Sequence, residues 1–292
     1  MRREGFVPVE GGRVWYEIVG SGDAIPLLTL HGGPGYPHDY LEPLEDLSSD
    51  RPVVFYDQLG CGKSDRPTNP DLWRTERFVQ ELAQVRSALG LNEMHLLGQS
   101  WGSMLATDYV LTGVEGVRSL VLASPPLSIP RWVEDMSRLR SLLPAEVQAV
   151  YDRHEAAGFT SCLEYQAAML HFYKRHVCRL EPWPDCLERA VAELGLPVYT
   201  AMWGPSEFFV TGNLLDYDRT ARLGEITIPT LFTCGRFDEA TPESTTYFQS
   251  LVPGSELAIF EQSAHCAHIE ERPAYLQLVR DFLSRAESAL RH

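Results

Sequence analysis

Lysine is nearly missing. Lys63 and Lys174 are the only two in 292 residues, and the rest of the basic charge is arginine. Against 25 basic side chains stand 40 acidic ones, a formal net charge of −15. Phosphate binding draws on clustered cations, so this balance argues against nucleic acid and anionic membrane surfaces as partners. It suits a substrate carrying positive charge, although acidity mostly serves solubility. No apolar run approaches the roughly 20 residues of a membrane span. Met1-Arg2-Arg3 leads into Glu4 and Gly5 rather than an apolar segment, so no signal peptide is expected. Closely paired cysteines are missing too. Cys61, Cys162, Cys178, Cys186, Cys234 and Cys266 are scattered, as expected of reduced thiols in the cytoplasm. Cys178 and Cys186 stand near His171 and His176, but the spacing fits no zinc pattern, so no metal and no cofactor are expected.

What is present is ordinary for a globular chain: 44% hydrophobic and 22% charged residues, enough for one large α/β domain with an insertion. Residues 6 to 19 alternate around a Glu-Gly-Gly-Arg turn, which predicts an N-terminal hairpin. Short apolar runs at 25–30, 52–56, 94–98 and 117–123 read as strands buried on both faces, with helical patterns near 39–47 and 75–89 between them. Strand alternating with helix implies a mostly parallel sheet with helices on both faces. From 130 to 225 the pattern turns helical and rich in bulky aromatics, before strands resume at Ile228–Gly235 and Glu256–Phe260. The expected organisation is an α/β core of residues 1–127 and 226–292, with residues 128–225 inserted as a helical lid.

The chemistry gathers around Gly98-Gln99-Ser100-Trp101-Gly102. Gly-x-Ser-x-Gly between a strand and a helix is a nucleophile elbow, in which the glycines permit a turn sharp enough to lift the serine above the sheet. A serine hydroxyl needs a base, and the base needs an orienting carboxylate. In this kind of fold they follow the serine in the order acid, then histidine, on loops after later strands. Asp238, in Gly-Arg-Phe-Asp-Glu, and His265, in Gln-Ser-Ala-His, stand in those places. The competitors fit less well. His268 would fall on the following helix, where Glu270 and Glu271 sit in the first turns. His31 precedes the serine and better shapes its own glycine loop, and Asp57 better fixes its own turn. Two N–H donors must meet the developing oxyanion. Trp101, after the nucleophile, offers one. Gly33, in His31-Gly32-Gly33-Pro34-Gly35, offers the other in preference to Gly32.

Together these segments resemble the prolyl aminopeptidase (proline iminopeptidase) family of α/β-hydrolases. Its landmarks are a His-Gly-Gly-Pro-Gly loop, an Asp-Gln-x-Gly-x-Gly-x-Ser segment and a Gly-x-Ser-Trp-Gly elbow, here His31–Gly35, Asp57–Ser64 and Gly98–Gly102. Met202-Trp203-Gly204-Pro205-Ser206-Glu207-Phe208 looks like the branch with the tricorn-interacting aminopeptidase and the L-amino acid amidases. In that branch two acids hold the substrate's free α-ammonium, and the matching positions are Glu207 and Glu239. A desolvated carboxylate can demand a cation through a charge-assisted bond. The implied activity is a serine aminopeptidase or amidase acting on short peptides or amino acid amides with a free N-terminal proline or small apolar residue. The alternatives are an esterase or lactonase on the same scaffold, or a slow-turnover ligand sensor.

Overall fold

The structure, a computed structural model, describes residues 1–289. The chain runs β1 (Arg2–Val9), β2 (Gly12–Val19), β3 (Leu27–Leu30), β4 (Val53–Tyr56), α1 (Thr75–Ala88), β5 (Met94–Gln99), α2 (Trp101–Val110) and β6 (Val117–Ala123). Five helices follow: α3 (Ile129–Ser141), α4 (Ala145–Ala156), α5 (Leu163–His176), α6 (Asp185–Ala192) and α7 (Leu196–Met202). The sheet then resumes with β7 (Thr230–Gly235), α8 (Pro242–Ser250), β8 (Glu256–Phe260), α9 (Ala267–Glu270) and α10 (Arg272–Ala289). The eight strands lie in the order β1-β2-β4-β3-β5-β6-β7-β8. Pairing is antiparallel for β1 with β2 and β2 with β4, and parallel from β4 to β8.

Two-residue periodicity divides the strands between two cores. Leu28, Leu30, Val54, Leu96, Leu120 and Phe232 face one side, packing with Phe78, Leu82 and Trp101 of α1 and α2. Leu27, Val53, Phe55, Leu97, Val121 and Leu231 face the other, against Tyr275, Val279 and Phe282 of α10. Strands covered on both faces must be apolar throughout, which is why these short runs show no alternation in sequence.

Several elements depart from the pattern read in the chain. The hairpin begins at Arg2, four residues earlier. The segment at His38–Ser49 is a 3-10 helix with Pro43 inside it, where the ring removes an N–H donor. Within the stretch read as helical, α6 starts only at Asp185, because Pro184 holds Trp183 out of the helical region. Helix α8 was not foreseen, and α7, inside the stretch read as helical, was not singled out. Both begin beside proline, which suits the first turn of a helix. Among the described residues, no helix is long and apolar enough to cross a membrane.

Candidate active site

The turn from β5 into α2 carries Ser100 at φ 56° and ψ −124°, a backbone region that L side chains rarely adopt. The flanking glycines make it possible. A Cβ on Gly98 would lie 2.2 Å from the Gly102 carbonyl oxygen, and one on Gly102 would lie 2.1 Å from that of Leu30. Ser100 N–H donates to the Ala123 carbonyl at 2.9 Å, so the elbow is pinned to the end of β6. Trp101 opens α2, where an N–H has no partner within its own helix. Its indole donates to Gln58 Oε1 at 2.8 Å.

His265 and Asp238 meet at 2.7 Å, the imidazole Nδ1–H donating to Oδ1. Burial disfavours the imidazolium, but Asp238 outweighs it and the imidazole pKa ends above the ordinary value. Asp238 is saturated with donors. Oδ1 also accepts the Ala240 N–H at 2.8 Å, while Oδ2 accepts the Ser124 hydroxyl at 2.6 Å and the Gly235 N–H at 3.2 Å. Ser100 Oγ and His265 face one cavity without a hydrogen bond between them among the described residues. Such bonds commonly tighten only when substrate arrives.

The glycine loop closes over the elbow. Gly32 N–H donates to the Tyr40 hydroxyl at 2.6 Å, which donates to Gln99 Oε1 at 2.6 Å. Gln99 Nε2 then donates to the His265 carbonyl at 3.2 Å. The Gly32 N–H is thereby occupied. Gly33 lines the cavity and its N–H has no acceptor among the described residues. Its φ of +112° would bring a Cβ within 2.5 Å of the Gly35 nitrogen.

Glu207 and Glu239 reach the same cavity from different directions. Glu207 lies between α7 and β7, and its carbonyl accepts the indole N–H groups of Trp132 at 2.9 Å and Trp203 at 3.2 Å. Glu239 follows Asp238 in the chain, and its N–H donates to the His176 carbonyl at 3.3 Å. Neither carboxylate oxygen of Glu239 has a hydrogen-bond partner among the described residues, although the residue is fully buried. Its Oε1 lies 3.8 Å from His265 Nε2. Burial, then the charges of Glu207 and Asp238, raise its carboxyl pKa well above the usual range. Burial likewise pushes Glu207 up to about 7, against opposing effects from His265 and Tyr199.

The competing residues have structural duties. Burial pushes His31 down to about 4, so it is neutral, and Nε2 accepts the Gln58 N–H at 2.8 Å. His268 is pushed to about 4 in the same way and bonds the Tyr40 carbonyl at 3.0 Å. Asp57 accepts from the His38 ring at 2.8 Å and the Lys63 N–H at 2.9 Å, fixing its turn. Glu270 and Glu271 brace the His265 loop, accepting the N–H groups of Ala264 at 2.8 Å and Gln262 at 2.9 Å. No group of three or more His, Cys, Asp or Glu side chains suited to a metal ion occurs among the described residues.

Sequence reasoning missed Ser124, Tyr40, Gln99, Tyr36 and Tyr173. Ser124 follows β6 at φ 49°, and its strand-end position beside two prolines was the available signal. Of the aromatics noted in the helical stretch, Tyr173 and Trp183 line the cavity. Trp132, Tyr165, Phe172, Trp203 and Phe208 are buried in the core, and Phe159 is exposed.

Comparison with known proteins fits this geometry. The α/β hydrolase fold family matches residues 25–272. The proline iminopeptidase of Heyndrickxia coagulans is 50% identical over 286 residues, covering 97% of this chain and 99% of that protein. That of Saccharolobus solfataricus is 37% identical, covering 98% and 93%. Among solved structures, VinJ superposes with a TM-score of 0.94 at 40% identity, covering 97% and 99% of the two chains. The proline iminopeptidase of Mycobacterium smegmatis superposes at 0.90 and 36%, covering 99% and 100%. An elbow serine, a histidine–aspartate pair and near-complete coverage by these relatives lead to one assignment: the chain belongs to the proline iminopeptidase family of α/β-hydrolases.

Proposed function

We propose that the protein is a serine aminopeptidase and amidase that hydrolyses the bond after a free N-terminal proline or other small apolar residue. One observation carries the reading. Ser100, His265, Glu207 and the unpartnered carboxylate of Glu239 line one cavity of about 190 Å³. A cavity of roughly 150 Å³ holds a benzene molecule, so this one suits a single residue rather than an extended chain. A buried carboxylate without a partner is costly unless a cation completes it, and an α-ammonium is such a cation.

In this mechanism Ser100 attacks the carbonyl carbon while His265 Nε2 accepts the hydroxyl proton. Asp238 holds the imidazole by its Nδ1–H and stabilises the imidazolium. The oxyanion is met by the N–H groups of Gly33 and Trp101. The C–N bond breaks as His265 protonates the leaving amine, and the acyl group remains on Ser100 as an ester. Water, deprotonated by the same imidazole, then releases the amino acid. Residues 128–225 form the lid, with Glu207 on it, and residues 1–127 and 226–289 form the core, residues 290–292 of that segment lying outside the described ones. The protein works in the cytoplasm without a metal or other cofactor.

The test is a pair of substrates. Proline β-naphthylamide should be cleaved and its N-acetyl derivative should not. Equal cleavage of the two overturns the ammonium site.

A further inference from the structure

The cavity has a closed end and an open end. Glu239 is completely buried and Glu207 is 9% exposed, whereas Leu170 on α5 and Val191 on α6 are 46% and 41% exposed where they line it. Between acids and mouth the wall is mostly apolar, with Met169 of α5, Val177 just after it, and Trp183 and Leu187 from α6 and the turn before it; its polar groups, Gln166 and the Tyr36 and Tyr173 hydroxyls, are uncharged. Among the described residues no lysine or arginine lines the cavity. A substrate whose ammonium occupies the closed end must run its leaving group outward past this wall. This step rests on the reading of Glu207 and Glu239 as the ammonium site.

We propose that the α5–α6 corridor selects the leaving group, favouring an apolar amine without a carboxylate close to the scissile bond. Substrates that release such amines are alkyl- and arylamides, and carboxyl-blocked or longer peptides with an apolar second residue. Two physical terms point the same way. A dipeptide's carboxylate would enter an apolar wall with no cation to receive it and with two acids farther in, which costs desolvation and repulsion. An apolar side chain there removes surface from water against Trp183 and Leu187. The specificity is therefore imposed on both sides of the scissile bond, by charge on the acyl side and by its exclusion on the amine side.

The test compares kcat/KM for prolinamide, Pro-Leu, Pro-Leu-amide and Pro-Gly-amide. Pro-Leu-amide should exceed Pro-Leu by about tenfold or more, and Pro-Gly-amide by roughly tenfold, the scale at which apolar pockets discriminate. Leu170→Arg and Val191→Arg should narrow the Pro-Leu-amide to Pro-Leu ratio severalfold, and Leu170→Glu should widen it. Both positions of change are at the exposed mouth, and thermal midpoints report whether each variant is folded. Prolinamide cleaved with a ratio near one, or a ratio indifferent to both charge signs at residue 170, overturns the corridor while leaving the parent reading intact. Failure to cleave any of the four overturns both.

Discussion

Asp238 and Glu239 are neighbours in the chain, both are buried, and their carboxylates are treated in opposite ways. Asp238 accepts from His265, Ser124, Gly235 and Ala240. Glu239 accepts from nothing among the described residues. The first lies at the ends of the parallel strands, where the protein itself answers both of its oxygens. The second lies under the inserted helices near Glu207, and its oxygens are left unanswered. Folding favours the first arrangement and resists the second, since an unpaired buried carboxylate raises the energy of the native state. The contrast separates what the fold completes for itself from what, on the proposed reading, it leaves for a substrate's ammonium to complete.

The largest test of the completed side is Ser100→Ala. Loss of the nucleophile should cut turnover of proline β-naphthylamide by roughly 10⁴-fold or more while the protein stays folded, as read by initial rates and circular dichroism. A rate near wild type would refute the triad. A paired substitution then sets the two neighbours against each other. Asp238→Asn should lower kcat by roughly 10⁴-fold and also lower the thermal midpoint, because it breaks a satisfied network. Glu239→Gln should lower kcat/KM for free-amine substrates by about 10²-fold yet leave the thermal midpoint close to wild type, because neither carboxyl oxygen has a partner to lose. Should both substitutions destabilise equally, the distinction between the two regions collapses.

The completed side was also the more legible one. Ser100, Asp238 and His265 each occupy a strand end, and strand ends are marked in the chain by short apolar runs that stop at glycine or a turn. The elbow's glycines were readable because the turn cannot close with a Cβ at Gly98 or Gly102. Glu207 and Glu239 carried no local mark of their own and were reached only through the family resemblance. The Tyr40–Gln99 link could not be read at all. It joins residues 59 apart, and neither side chain differs in type from an ordinary surface polar group. Helices α7 and α8 were missed for a related reason: one is seven residues long and the other nine, too short for an apolar stripe to repeat.

The unanswered side should also show in the pH dependence of stability. Burial holds Glu207 at about 7 in the native state against a value of 4.5 for the free side chain. Between those values the native protein binds the proton and the unfolded chain does not. This contribution is therefore fully present below about pH 4.5, is lost as pH rises towards 7, and levels off above it. Its size is on the order of 3 kcal/mol. His265, raised in the native state, adds a loss of the same sign, so the comparison must be a difference between wild type and Glu207→Gln. Urea midpoints from pH 5 to 8 should converge with rising pH if the wild type starts above the variant at low pH. Parallel curves would mean that Glu207 titrates as an ordinary carboxylate.

Tyr40 is where the two regions touch. Its hydroxyl takes the Gly32 N–H and reaches Gln99, which holds the His265 loop, and its ring lines the substrate cavity. Tyr40→Phe keeps the ring and removes only the oxygen, leaving a buried N–H and a buried amide oxygen without partners. That costs about 1–3 kcal/mol of stability. If the hydroxyl serves only the completed side, kcat should fall by about tenfold as the glycine loop loosens at Gly33, while the KM for a free-amine substrate stays near wild type. A KM that rises as steeply as kcat falls would show that the catalytic loops and the acid pocket are not separable, and that one hydroxyl aligns both.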